Sequence, residues 1–498
     1  MDDNLPVIVG VGQITQRPET ERPREPLALM AEAARRAEAD AGAGDLLHEI
    51  DSLRVVNVLS WPSKAPAQDL SRALAVAPRE QIYAAVGGNT PQWLVNEAAE
   101  AIANGSVRVA LIAGAEAMYS ARRARQRGID LGWSPRGTPT PDIGDVRPGM
   151  SDYEVRHGAT KPTHIYPLFE NALRAHYGRT IEDHQRTMGE LMAGFSAVAA
   201  TNPHAWFREA RTAQQIATAG PDNRYIGFPY PKFMNAIMDV DQGAALLMTS
   251  AGEARRLRVP EEKWVYLHGC GDASDHWFIS ERADYHSSPA IRAVGERALS
   301  MAGVGIGDIA HIDLYSCFPS AVEIGRDMFG IAQDDPRPLT VTGGLPYFGG
   351  PGNNYVGHSI AAMVEKLRGD RGSLGLVTAN GWYVTKHAAG VYSSAPPERE
   401  WRRTDPKIDQ RAIDAQPHPP LTAAPIGDAT VETYTVVFDR DGAPELGIVI
   451  GRTAGGSRFL ANTPPDRRTL ESMTKHEVVG MKGRVAQADD ARNIFTPG

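Results

Sequence analysis

One stretch, residues 83–118, YAAVGGNTPQWLVNEAAEAIANGSVRVALIAGAEAM, constrains the fold more than any other part of the chain. Residues 81–86 read as a short apolar strand. A Gly87-Gly88-Asn89-Thr90 turn follows, with Thr90 as N-cap, Pro91 at the first helical position and Gly105 as the stop. Residues 107–113 then read as a second strand. The helix is Ala-rich and uncharged from Pro91 to Asn96, so it is expected to be buried between sheets. A buried helix N-terminus is electropositive, and there a thiolate or an oxyanion is stabilised. The turn at this end nevertheless carries no thiol.

The α/β alternation extends both ways. Residues 5–11 predict a strand, 26–42 an Ala-rich helix and 53–59 another strand. Gly10-Val-Gly12 starts like a dinucleotide-binding turn, but Thr15 stands where its third glycine belongs and no acidic ribose ligand follows the next strand. A long insertion, 119–235, is Arg-rich, then Gly/Pro-rich, then helical at 164–176 and 180–200, where Thr180 with Asp183 makes a capping-box-like start. A strand at 243–249 closes a first half, 1–250. The plan repeats in 251–395, with strands at 265–269, 312–315 and 374–379 and helices at 288–302 and 320–329. Residues 396–428 read as a Pro-rich linker, and the alternating segments of 429–498 fit a small antiparallel β-barrel, OB-like in its strand lengths.

The helix and second strand resemble the thiolase superfamily, whose nucleophilic Cys precedes a CxSGxxAVNxAAxxI helix and a strand ending in GGxExM. Val95, Asn96, Ala98, Ala99 and Ile102 match, as do Gly114 to Met118. Further motifs, GGNxPQ, YSCFPSAVE, GGPGNNYVGHSIA and TANGWYxTKHAAGVYS, with the added C-terminal β-domain, resemble the thiolase-like protein type 1 group, often labelled acetyl-CoA acetyltransferase. This resemblance implies a five-layered αβαβα fold of two similar halves, a loop domain that holds CoA, and a place among the acyltransferases of lipid metabolism. It also implies four departures. Gly88 stands at the nucleophilic Cys, Gly350 at the GHP histidine, Ala379 at the second Cys and Tyr315 at the residue orienting an oxyanion-binding water. Without these groups the acyl-enzyme route has no nucleophile.

The resemblance therefore implies a CoA or acyl-CoA ligand, no tightly bound cofactor and no Claisen condensation. A second reading is a retro-aldolase or hydrolase on a CoA thioester, since steroid side-chain aldolases on this scaffold also lack the Cys and use tyrosines near the position of Tyr315. A third is an interaction protein working through its C-terminal domain. Tyr315, His358 and His387 are the catalytic candidates, each with a packing role as the alternative. Asn89, Thr90 and Asn380 are substrate-binding candidates, Asn380 also being suited to a turn of positive φ. Arg122, Arg123, Arg125 and Arg127 suit either CoA phosphates or a solvated helix face. Glu116 reads as a sheet anchor and Cys317 as a buried hydrophobe.

No metal centre is expected: His268, Cys270, Asp272, Asp275 and His276 have ligand-type side chains, but their spacing reads as a strand end. A net charge of -8 argues against nucleic-acid and anionic-membrane partners. Two cysteines and no apolar leader fit a reduced, cytoplasmic protein, monomeric or dimeric.

Overall fold

The structure, a computed structural model, describes residues 2–498. Its first strands are β1 (Pro6–Thr15), β2 (Ser52–Val55), β3 (Glu80–Tyr83) and β4 (Val109–Ala117), followed inside the insertion by a small hairpin, β5 (Tyr225–Gly227) and β6 (Tyr230–Pro231). Next come β7 (Asp241–Ser250), β8 (Val265–Ser274), β9 (Ile309–Asp313), β10 (Leu374–Gly381) and β11 (Lys386–Ser393). The C-terminal strands are β12 (Gly427–Phe438), β13 (Pro444–Thr453), β14 (Arg458–Asn462), β15 (Lys482–Gln487) and β16 (Asn493–Pro497).

The sheet order β3-β2-β4-β7-β1-β8-β11-β10-β9 puts the two halves side by side, joined where Val7 and Ile8 meet Tyr266 and Val265. β1 and β8 take equivalent places, each antiparallel to a closing strand, β7 or β11. Each carries a Gly-x-Gly for one packing reason. A Cβ at Gly10 or Gly12 would strike the backbone carbonyls of Ala37 and Ala33 in the Pro26–Ala41 helix; Gly269 and Gly271 stand likewise against Ala298 and Val294 of the Pro289–Ala302 helix. Gly10-Val-Gly12 is thus a close helix–strand contact, repeated in the second half. The Thr90–Ala103 and Tyr355–Gly369 helices pack against strands of both halves, which gives five layers, αβαβα.

β12, β13, β14, β16 and β15 close into a five-stranded barrel, because β12 pairs with both β13 and β15. The sequence separates this barrel from the rest; the structure ties it down. Gly227 of β5 pairs with Val437 of β12, so the insertion's hairpin extends the barrel sheet. Arg458, fully buried, donates both to Glu432 and to the backbone carbonyls of Arg282 and Ala283 in the second half. The 396–428 segment is not a bare linker either. It contains the Lys407–Asp414 helix, where Asp409 pairs with Arg297 at 2.7 Å and Gln410 accepts from the Ser274 amide at 2.8 Å. Eight residues between prolines are too few for a periodic signal to show.

β3 is an outer strand of the large sheet, and its free edge is occupied. The Asp142 amide donates to the Tyr83 carbonyl at 2.8 Å and the Ala85 amide to the Ile143 carbonyl at 2.9 Å. The Asp142 carboxylate takes the Tyr83 amide at 2.8 Å. A segment of the insertion thereby pairs the edge that would otherwise invite another strand.

Candidate functional site

The turn after β3 leads into the Thr90–Ala103 helix one residue earlier than the sequence suggests. Asn89, not Thr90, is the N-cap residue, and its side chain makes no capping bond. The Thr90 hydroxyl donates instead to the Ala85 carbonyl at 3.2 Å, so it tightens the turn. Asn353 completes the turn from the far half: its Oδ1 accepts from the Gly87 amide at 2.9 Å and its Nδ2 donates to the Asn57 carbonyl at 3.1 Å. Gly350 is not the residue that reaches this turn. A Cβ there would face Leu345 at 3.2 Å and the Ile237 carbonyl at 3.5 Å. The asparagine that does reach the turn stands three residues beyond Gly350, the position the resemblance matches to the GHP histidine.

Gly88 sits under Tyr315. A Cβ on Gly88 would meet the Tyr315 hydroxyl, Cζ of the same ring at 3.0 Å and the Asn380 carbonyl at 2.5 Å. The Tyr315 backbone is held by its amide donating to Thr378 Oγ1 at 2.9 Å, and its ring packs edge-on against Tyr355 with centroids 5.8 Å apart. Burial, with Cys317 and Tyr355 adding to it, raises the Tyr315 pKa well above the usual phenol value, so the phenol stays protonated and can donate. Asn380 lies inside β10, not in a positive-φ turn; Trp382 and Val384 carry the positive φ values, 55° and 54°. The Asn380 amide donates to the Tyr166 hydroxyl at 2.9 Å, and Tyr166 in turn donates to the Trp382 carbonyl at 2.9 Å.

Tyr315, Ala379, Asn380 and His387 line one enclosed cavity of about 20 Å³, room for roughly one water. His387 lies beside Asp275, whose Oδ2 is 3.4 Å from His387 Nε2 without forming a hydrogen bond and 3.6 Å from the Arg282 guanidinium. Burial works against ionising Asp275, yet the neighbouring His387 and the Arg282 charge hold its pKa below the ordinary carboxylate range. Asp275 is thus not merely a strand end. His358 goes elsewhere: it is fully buried inside the Tyr355–Gly369 helix with Nδ1 2.9 Å from Gln13 Oε1, and burial pulls its pKa down to about 3. It does not join Tyr315.

A second, larger cavity of about 260 Å³ opens on the other side of the turn, lined among others by Asn89, Thr90, Trp93, Asp145, Lys386 and His387. Lys386 and Tyr166 are the neighbours of this turn that the sequence reading misses. Lys386 sits in the quoted TKHAAG motif, one residue from a chosen histidine, and Tyr166 comes from the insertion, 76 residues after Thr90.

Neither cysteine stands at the turn. Cys270 is buried in β8 and Cys317 beside Tyr166, and burial pushes both thiols up to about 12. Glu116 accepts from the Leu59 and Ser60 amides at 2.7 and 2.8 Å, fixing the loop after β2, and burial raises its pKa to about 7. Arg122 pairs with Asp239, Arg123 donates to the Pro18 carbonyl at 2.9 Å, and Arg122 and Arg125 line a cleft of about 760 Å³ with Arg136, Trp61 and Trp133; Arg127 lines a separate hollow with Pro23 and Tyr119. Among the described residues, the ligand-type atoms of Glu170, His184 and Glu323 converge within 4.8 Å. There Arg179 already supplies positive charge, 3.5 Å from Glu323 and 3.3 Å from His184 Nδ1.

The whole chain aligns with the crystal structure of a monomeric SCP2-thiolase like protein type 1 from Mycobacterium smegmatis, at 37% identity, 100% coverage of both chains and TM-score 0.87. The chain belongs to the SCP2-thiolase-like protein type 1 family. Residues 410–490 match the thiolase-like protein type 1 additional C-terminal domain, which here is the barrel with the helix leading into it. More distant structures share the fold. One is an Ltp2-ChsH2(DUF35) aldolase, 20% identical over 80% of this chain and 99% of that one, TM-score 0.61. Another is an acetyl-CoA acetyltransferase from Syntrophomonas wolfei, 15% identical over 79% of this chain and 100% of that one, TM-score 0.57. In this SCP2-thiolase-like type 1 chain, the residues around Gly88 come from β10, the segment after β9 and the turn after β3, so the site exists only where the two halves meet.

Proposed function

We propose that this protein binds CoA or an acyl-CoA in the cleft of its first half lined by Arg122, Arg125, Trp61 and Trp133, and does not carry out cysteine-dependent acyl transfer. The observation that carries this reading is the Tyr315 hydroxyl occupying the space that a side chain at Gly88 would need. The thiolase acyl-enzyme step needs a thiolate with a base beside it; at this helix end stand a glycine, a protonated phenol, amides and the Lys386 amine, and no thiol. Arg122 and Arg125, on the rim of the 760 Å³ cleft, suit a diphosphate, and Trp61 and Trp133 suit an aromatic base. Calorimetric titration with CoA and with acyl-CoAs of increasing length tests the reading. Saturable binding below millimolar ligand is the expected result, and no heat at millimolar ligand refutes it.

A second reading has its own observation: Asp275 stands 3.4 Å from His387, and His387, Tyr315 and Asn380 face one water-sized cavity. Such a set can move a proton between an imidazole and a phenol beside a carbonyl oxygen. This is the equipment of a carbon–carbon lyase or a hydrolase, and an aldolase is among the structures of the same fold. Tyr315→Phe and His387→Gln should each reduce turnover of a β-hydroxyacyl-CoA by roughly 10²-fold or more if the pair does acid–base work; unchanged turnover in both removes the reading.

The covered β3 edge favours a monomer. Light scattering in solution should give the chain mass, 53.8 kDa; a stable species of twice that mass would show that another surface associates.

A further inference from the structure

We propose that Lys386 is an imine-forming amine: its Nζ lies beside the Gly87-Gly88 turn and borders the 260 Å³ cavity, where it can condense with an aldehyde or ketone. This goes beyond thioester binding and does not depend on it.

Three observations place the amine. A Cβ on Gly87 would come within 2.8 Å of Lys386 Nζ, so the amine stands next to the position where the thiolase superfamily carries its nucleophile. Its hydrogen bond goes to a neutral acceptor, the Val86 carbonyl. Lys386 is 7% exposed, and the Trp277 and Trp382 rings each stand 5.9 Å from Nζ. A buried ammonium without a carboxylate counter-ion at contact distance loses its proton more readily than one in water. Burial lowers the Lys386 pKa to about 8, against an opposing pull from Asp145 and an added push from Arg147. The other charged or titratable groups on the cavity wall are Asp272 from β8, His387 from β11 and Lys407 from the Lys407–Asp414 helix.

The chemistry closes without a co-reactant. The neutral amine, one N–H directed to Val86, adds its lone pair to the carbonyl carbon, and the carbonyl π pair moves to oxygen, which takes a proton. The carbinolamine oxygen takes a second proton and leaves as water while nitrogen gives up its own, forming C=N. The two protons delivered balance those released from nitrogen when the imine is neutral. The cavity volume limits the substrate to a small carbonyl compound or the carbonyl end of a longer one.

Borohydride trapping on the full chain tests this. The protein is incubated at pH 8 with propionaldehyde and cyanoborohydride, then mapped by peptide mass spectrometry. Lys386 should be alkylated about tenfold faster than exposed lysines, because its free-amine fraction at pH 8 is far larger. The rate should rise with pH through a midpoint near 8. Lys386→Arg keeps a cation in place and should abolish the fast phase while its thermal midpoint stays close to that of the parent. Adducts confined to exposed lysines such as Lys64 or Lys475, with the Lys386 peptide unmodified in the parent protein, overturn the proposal. The trap contains no CoA, so its failure leaves the thioester reading standing, and a failed CoA titration leaves the trap to be judged by itself.

Discussion

Gly88→Cys is expected to yield a less stable protein that still transfers no acyl group. The new Cβ would press on the Asn380 carbonyl at 2.5 Å and on Tyr315 Cζ at 3.0 Å. The carbonyl belongs to β10, where Asn380 pairs with His387 of β11, so the backbone retreats only by breaking that register. Overpacking of this kind costs about 1–3 kcal/mol, occasionally more. Gly88→Cys with Tyr315→Phe removes the nearest contact, the hydroxyl, and should recover part of the loss. Tyr315→Ala in the same background removes the Cζ contact as well, but the Asn380 carbonyl stays at 2.5 Å, so neither restores the parent's stability. Denaturant midpoints of the parent and these three variants decide the matter. A Gly88→Cys protein as stable as the parent would mean that Tyr315 does not fill the site, and the reading of a closed nucleophile position would fall with it.

Arg458→Ala should destabilise the molecule more than any substitution on its surface. The guanidinium is fully buried, is bidentate to Glu432 at 2.9 and 2.6 Å, and lies 4.8 Å from the centre of the Tyr285 ring. It also donates to backbone carbonyls of residues 282 and 283, so it joins the barrel to the second half. Removing one partner of a buried ion pair costs about 3–5 kcal/mol when the other charge is left unpaired; here Arg452 still meets Glu432 at 2.9 and 3.1 Å, so the loss comes chiefly from the contacts of Arg458 to the second half and lies nearer the lower figure. Burial opposes ionisation of Glu432, but Arg458 and Arg452 hold its pKa below the ordinary range. A carboxylate whose folded pKa is depressed contributes fully above its unfolded pKa and loses that contribution as pH falls through the folded one. The gap between parent and Arg458→Ala should therefore be widest near neutrality and narrow on acidification. Adding Glu432→Gln to Arg458→Ala should lower stability further rather than restore it, since Arg452 then loses its carboxylate partner. A gap under about 1 kcal/mol at neutral pH, the size of a surface pair, would show that the barrel is not fastened through this residue.

The sequence by itself determined the αβαβα plan, the two-fold repetition, the barrel at the end, and the absence of a thiol at the turn before the Thr90–Ala103 helix. All of these are written in local signals: apolar periodicity, a Pro at a helix start, glycines at fixed spacing, and the identity of one short turn. What only the tertiary structure decided is the company that the turn keeps. Tyr315 fills the space over Gly88, Asn353 replaces Gly350 at the Gly87 amide, His387 acquires Asp275, His358 turns to Gln13, and Lys386 reaches Val86. These partners are between 112 and 345 residues apart. No periodicity encodes such pairs, because they depend on how two packed halves register on a shared helix layer. The insertion taught the same lesson at larger scale: its composition showed that it was an insertion, but only packing showed one part covering the β3 edge and another extending the barrel.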